Sequence, residues 1–190
     1  MSEDCRIEGY AIVSADGMIA DENGHMPDIL RNEADLRFFD SQLERADVVV
    51  QGRNSHEGHD NSERRRRLVV TRRIATIEPN PDLPNSMLWN PAGASFREAC
   101  AALGLSSGLA AIIGGPEVYS LFLDIGYDAF HLSRSGKVSL PGGLPVFLQG
   151  RLGRSPEAVL RQYGLEPVTE RMLDEAKAVT LVTWRRKASA

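Results

Sequence analysis

Asp35 is the carboxylate in this chain best placed to do chemistry. It is the third residue of the segment EADLRFFDSQLERA, which follows a stretch, residues 21 to 32, rich in Gly, Pro, Asn and Asp. Leu36 and Phe39 stand beside it, and a carboxyl group on an apolar wall stays protonated to higher pH and can manage a proton. A bland reading competes: an acid in the first turn of a helix also does no more than offset the helix dipole.

Three further segments have the form of a strand running into a turn or helix: VVVQGRNS (Val48 to Ser55), VVTRR (Val69 to Arg73) and IIGGPEVY (Ile112 to Tyr119). Helix N-termini offer unpaired N–H groups and partial positive charge, so such junctions suit a phosphorylated ligand. Each by itself is ordinary turn geometry. Together, at the carboxyl ends of strands in one open sheet, they mark a binding crevice. Neither GxGxxG nor GxxxxGK[ST] is present, so neither nucleotide fingerprint supports the case.

The run RRRRLVVTRR, Arg64 to Arg73, holds six of the 22 basic residues in a chain of formal net charge -4. That net charge argues against a general nucleic-acid or anionic-membrane binder, and reduces the arginines to a local anion-attracting patch or a solvated loop. HEGHD, with His56, Glu57, His59 and Asp60, is not HExxH, and reads as a polar loop rather than a metal site. Cys5 and Cys100 lack CxxC spacing and read as reduced, incidental thiols.

These residues need elements to position them. Residues 10 to 14 read as a buried strand closed by an Asp16-Gly17 turn, and residues 33 to 46 as a helix with Asn32 as N-cap and Leu36, Phe39 and Leu43 on one face. Strands are expected near residues 47–51, 68–71, 87–89, 109–113, 129–133, 170–173 and 179–184. Helices are expected over 96–103, 117–123 and 156–162, the second led by Pro116 after Gly114 and Gly115. Strands alternating with helices imply one α/β domain over residues 1–190: a three-layer mixed, mostly parallel sheet of about eight strands, helices on both faces, and an antiparallel C-terminal edge. With 190 residues and 42% hydrophobic content the chain can bury a core without metal or disulfide. No apolar run reaches a membrane span and the first residues are polar and acidic, so a cytoplasmic protein with no membrane partner is expected. The terminal strands and the 141–147 loop offer an edge for a homodimer.

Taken in order, these pieces resemble the dihydrofolate reductase-like superfamily over most of the chain. YAIVSADGMIA is similar to its first strand and the loop that closes over the nicotinamide, NGHMP to its Asn-x-Met-Pro loop with one residue more, and ADLRFF to the segment carrying its active-site acid, matched by Asp35. VVVQGRNSHE resembles its Gly-Arg-x-Thr turn with Ser55 for Thr, and LVVTR the strand ending that holds an adenosine 2'-phosphate. IIGGPEVYSLFL is similar to its Gly-Gly segment, where the family has a cis bond.

The resemblance implies NADPH as cofactor, met by Ile19, Gly52, Arg53, Asn54, Ser55, Thr71, Arg72, Ile113, Gly114, Gly115, Pro116, Glu117, Val118 and Tyr119. It implies a small heterocyclic substrate held by Tyr10, Ile12, Asp35, Phe39, Arg65, Ile113 and Ser133, with Asp35 catalytic and no metal. The implied reaction is hydride transfer to a pterin- or folate-like C=N bond. SADGMIA and the Gly142-to-Phe147 stretch resemble instead the riboflavin-biosynthesis reductase domain, which acts on 5-amino-6-(5-phosphoribosylamino)uracil. There the arginines before residue 68 would take a substrate phosphate. A non-catalytic nucleotide-binding protein on the same fold is the third reading.

Overall fold

A computed structural model describes residues 5–55 and 64–187 of the chain; HEGHD lies outside them. Among the described residues eleven strands and four α-helices follow one another as β1 (Cys5–Ser14), β2 (Met18–Ala20), α1 (Glu33–Leu43), β3 (Val48–Gly52), β4 (Arg67–Val70), β5 (Ile77–Pro79), β6 (Ser86–Trp89), α2 (Phe96–Ala102), β7 (Gly108–Gly114), α3 (Pro116–Ile125), β8 (Ala129–Ser135), β9 (Leu144–Pro145), α4 (Pro156–Gln162), β10 (Leu165–Asp174) and β11 (Val179–Arg186). Nine strands form one sheet in the order β10-β11-β8-β1-β7-β3-β4-β6-β5. The strands from β8 through β6 pair in parallel, while β10, β11 and β5 are antiparallel.

The expected mixed, mostly parallel sheet is present, with nine strands rather than eight and a second antiparallel edge at β5. That edge, and the small β2–β9 sheet, were missed because strands of two or three residues carry no readable alternation.

Strand periodicity sorts the side chains between two cores. Val48, Val50, Leu68, Ala110 and Ile112 join Val118 and Phe122 of α3, Ala99 of α2 and Val159 of α4 in the larger one. The alternate residues Tyr10, Val49 and Ala111 pack with Leu43, Phe38 and Phe39 of α1 on the opposite face. The helices therefore cover both faces, and α1 alone faces the strip of β1 and β8 that concerns the site.

The turn after β1 needs a left-handed residue, which Gly17 supplies at φ 85°, and its N–H returns to the Ser14 carbonyl at 3.0 Å. Asp16 then ties the 137–143 loop down, accepting from Leu140 N at 3.0 Å and from Ser139 Oγ at 2.7 Å. The loop before α1 contains a short 3₁₀ turn, Asp28–Leu30, whose Leu30 is buried against Ile12, Val138 and Val179. No helix among the described residues is long and apolar enough to cross a membrane.

Candidate active site

Asp35 enters the site because Asn32 starts α1. The Asn32 side-chain oxygen accepts from the backbone N–H of Ala34 at 3.0 Å and of Asp35 at 3.1 Å, satisfying donors that the helix itself leaves unpaired. From this first turn the Asp35 carboxyl reaches the sheet, where the Ser133 hydroxyl bonds to it. Ser133 is opposite Ile12 in the β1–β8 register. Burial, opposed by the Ser133 bond and helped by the charge of Asp40, pushes the Asp35 carboxyl up to about 6.

The apolar wall comes from both layers. Tyr10, Phe39 and Ile113 belong to one cluster, with the Tyr10 and Phe39 rings edge to face at 6.4 Å. The Tyr10 hydroxyl is spent below the site, donating to Glu8 at 2.6 Å. Its backbone carbonyl accepts from the Tyr119 hydroxyl at 2.5 Å, and Asp35 lies close enough for its charge to help raise that phenol. Six of the seven expected substrate-side residues are thus placed along one face of β1, β8, β7 and α1.

Arg65 is set apart. Its guanidinium donates to the Leu43 carbonyl at 2.5 Å and pairs with Glu44 at 2.8 Å, at the far end of α1. Leu43 is eight residues beyond Asp35, about 12 Å along the axis at 1.5 Å per residue. The four arginines have divided: Arg64 and Arg66 are exposed, and Arg67 is buried with a 2.8 Å bond to Gln51. Arg64, Arg65 and Arg66 line a polar cavity of about 640 Å³ with Glu44, Asp47 and Asn85.

Beyond β7, Gly52, Ser55, Gly114 and Gly115 of the expected cofactor residues come together. Ser55 Oγ accepts from Gly115 N at 3.1 Å. A Cβ on Gly52 would sit 3.6 Å from Val118, and one on Gly114 would sit 3.5 Å from Ser55 Oγ and 3.6 Å from the Tyr119 hydroxyl. These glycines leave bare backbone beside Ser55 and Tyr119, and Gly114 at φ 138° also needs the conformation that glycine adopts readily. Pro116 opens α3 there, with exposed Glu117 in its first turn. No cis peptide bond occurs among the described residues, so the Gly114–Gly115 bond departs from the family's cis bond.

Thr71 is buried just beyond β4, its hydroxyl accepting from Arg73 N at 3.2 Å. Arg53, Asn54 and Arg72 are exposed. Bare backbone, a helix N-terminus and exposed cations suit the pyrophosphate and phosphate of a dinucleotide. Ile19 lies on β2, half-buried against the larger core. An apolar cavity of about 820 Å³ between α2 and α3 gathers none of these residues. Cys5 and Cys100 line it, and burial pushes the Cys100 thiol up, as for inert structural thiols.

Two features escaped the sequence. One is a buried polar cluster next to the site: Glu8 accepts from Tyr10 and from His131 Nε2, the latter at 3.2 Å, and His131 stacks on Tyr10 at 4.8 Å. The polar members of otherwise apolar strands were its only signal. The other is Asp174, which reaches Asn32 from the β10–β11 turn.

No protein-family model and no curated protein sequence matches the chain. Solved structures do. A diaminohydroxyphosphoribosylaminopyrimidine deaminase / 5-amino-6-(5-phosphoribosylamino)uracil reductase from Thermotoga maritima superposes with TM-score 0.65 at 16% identity, over 97% of this chain and 57% of that one. Dihydrofolate reductase from Enterococcus faecalis, complexed with NADP(H), superposes with TM-score 0.63 at 18% identity, over 96% of each chain. This chain has the dihydrofolate reductase fold. A pyrimidine reductase-like protein from Corynebacterium diphtheriae shares it, with TM-score 0.65 at 12% identity over 98% of this chain and 94% of that one. The chain spans little more than half the length of the Thermotoga protein.

Proposed function

We propose that the protein is an NADPH-dependent reductase that acts on the C=N bond of a pterin-like heterocycle, with Asp35 as its acid. The observation that carries this reading is the Asp35 carboxyl, pushed up to about 6 by burial and bonded to Ser133, beside the apolar cluster of Tyr10, Phe39 and Ile113. Gly52, Ser55, Gly114 and Gly115 would cradle the cofactor's pyrophosphate, and Arg53, Thr71 and Arg72 its 2'-phosphate. NADPH, when bound, supplies the hydride.

The chain's own residues then align and manage charge. An ionised Asp35 accepts hydrogen bonds from amino and ring N–H groups of the substrate, which fixes the ring's orientation. A protonated Asp35 delivers its proton, directly or through water, to the ring nitrogen next to the carbon that takes the hydride. The C=N bond becomes a C–N–H, and Asp35 is left ionised to recover its proton from solvent. Two donors of Arg65 are already used by Leu43 and Glu44, which weighs toward a pterin without a long anionic tail.

A second reading has its own support. The segments that resemble the riboflavin-pathway reductase are paired: Met18 of β2 opposes Pro145 of β9, and Ala20 opposes Leu144. On that reading exposed Arg64 and Arg66 would serve a substrate phosphate. Consumption of NADPH, followed by its near-ultraviolet absorbance with dihydropterins and with the ribosylaminopyrimidine phosphate side by side, separates the two. Binding of NADPH with no consumption on either substrate class overturns both and leaves a nucleotide-binding protein.

A further inference from the structure

Asn32 is buried, at 5% exposure, and its amide works in two directions. Its oxygen caps α1 at Ala34 and Asp35. Its nitrogen donates to Asp174 Oδ2 at 2.8 Å, across 142 residues of sequence. The other Asp174 oxygen accepts from Lys177 N at 3.0 Å, closing the β10–β11 turn.

The chemistry makes this arrangement one-way. A carboxylate only accepts, so only the NH₂ end of the Asn32 amide can face Asp174. Rotated by half a turn, the amide would set oxygen against carboxylate and NH₂ against the helix N–H groups. Asp174 therefore decides which end of Asn32 meets α1, and so how the first turn that carries Asp35 is held.

We infer that Asp174 is a positioning residue for Asp35: acting through Asn32, it fixes the first turn of α1 so that the Asp35 carboxyl meets Ser133. This rests on the reading of Asp35 as the acid. The other charged or titratable groups acting on Asp35 come from elsewhere, Asp40 from its own helix and Tyr119 from α3. Arg171 of β10 is occupied over the Phe38 ring at 5.6 Å. Near Asp174, Lys177 contributes a positive charge besides its N–H bond.

The test compares Asp174→Ala, Asp174→Asn, Asn32→Ser and the double variant Asp174→Ala/Asn32→Ser. The Asp35 carboxyl is titrated by carboxyl-carbon NMR in the ligand-free protein, its signal assigned by loss in Asp35→Asn. Serine caps a helix nearly as well as asparagine but has no amide to donate. Asp174→Ala and Asn32→Ser are each expected to move the Asp35 midpoint down toward the ordinary carboxylate range, by about half a unit or more as water reaches it. Turnover should fall roughly 3- to 10-fold with the KM for NADPH unchanged, and the double variant should be no worse than the poorer single one, as for two groups on one path. Asp174→Asn keeps one oxygen acceptor, which can serve Asn32 or Lys177 N but not both, and should titrate between the parent and Asp174→Ala.

An unchanged Asp35 midpoint in Asp174→Ala overturns the proposal even if thermal stability drops, because the residue would then serve only its turn. A double variant whose shift is the sum of the two single shifts also overturns it, since Asp174 and Asn32 would then act on separate paths. The NMR titration needs no substrate, so absence of reductase activity would sink the functional reading and leave this one decided on its own evidence.

Discussion

Ser55 Oγ accepts the backbone N–H of Gly115 at 3.1 Å, across 60 residues of sequence. The bond joins the loop after β3 to the N-terminus of α3 and makes one cradle of two strand ends. It also uses up the Gly115 donor at the start of α3, so Ser55 acts by holding Gly115 in place, with Gly52 and Gly114 close around its hydroxyl.

Ser55→Ala should therefore loosen the cradle without emptying it. One neutral hydrogen bond is worth about 1 kcal/mol, so NADPH affinity should drop roughly fivefold, read by isothermal titration calorimetry. Affinity unchanged within error would separate Ser55 from the cofactor site.

Arg72 carries a different expectation, because a guanidinium beside a 2'-phosphate discriminates between two cofactors. It is exposed just beyond the β4 end. Arg72→Ala should cost NADPH about 10-fold or more in Kd, the scale of one charge-assisted bond, and leave NADH nearly unaffected. Equal losses for both cofactors would place the arginine elsewhere.

What the sequence made legible was local. The Asn32 cap and the Pro116 helix start are each decided within a few residues, and they stand as expected; of the expected apolar face of α1, Phe39 and Leu43 pack inward together with Phe38, while Leu36 is 53% exposed. The four consecutive arginines could not be told apart by type. Strand alternation buries Arg67 against Gln51, the end of α1 claims Arg65, and solvent keeps Arg64 and Arg66. The tie of Asp174 to Asn32 was out of reach, since it depends on a hairpin turn landing beside a helix cap 142 residues earlier.

Asp35→Asn separates function from stability. Burial raises the carboxyl from an ordinary 3.8 to about 6, so the folded chain binds the proton more tightly than the unfolded one. The stability this contributes is full below about pH 3.8 and is lost as pH rises through about 6. Above that, the ionised carboxylate is a burden, and asparagine should stabilise the fold by up to about 3 kcal/mol, at 1.36 kcal/mol per unit. Turnover should fall by about 100-fold or more, and the parent's rate should decline as pH rises past about 6 while the variant's pH dependence flattens. Chemical denaturation together with a pH–rate profile checks both halves. Full turnover at neutral pH would remove Asp35 from the mechanism.

Glu8→Gln probes the cluster that supports Tyr10 and β8. The carboxylate is buried and accepts from Tyr10 at 2.6 Å and His131 at 3.2 Å through one oxygen, and pairs with Arg6 at 2.9 Å through the other. Because that acceptor is a carboxylate, His131 Nε2 must carry the proton and donate it. Burial by itself would raise Glu8, but the bonds from His131 and Tyr10 and the charges of His131 and Arg6 outweigh it, lowering the carboxyl from 4.5 to about 2. Its stabilisation is accordingly present above about pH 4.5 and is lost as pH falls through about 2. A glutamine can offer its oxygen to Arg6 only by turning its NH₂ toward Tyr10 and His131, which must then give up donating and accept instead, and the charge that both of them and Arg6 bond to is gone. The variant should lose on the order of 2–4 kcal/mol at neutral pH, with a gap that narrows as the acid limb is approached at about pH 3. Urea unfolding at the two pH values measures it, and a gap that stays constant would mean the loss comes from packing rather than from the charge that His131, Tyr10 and Arg6 hold in place.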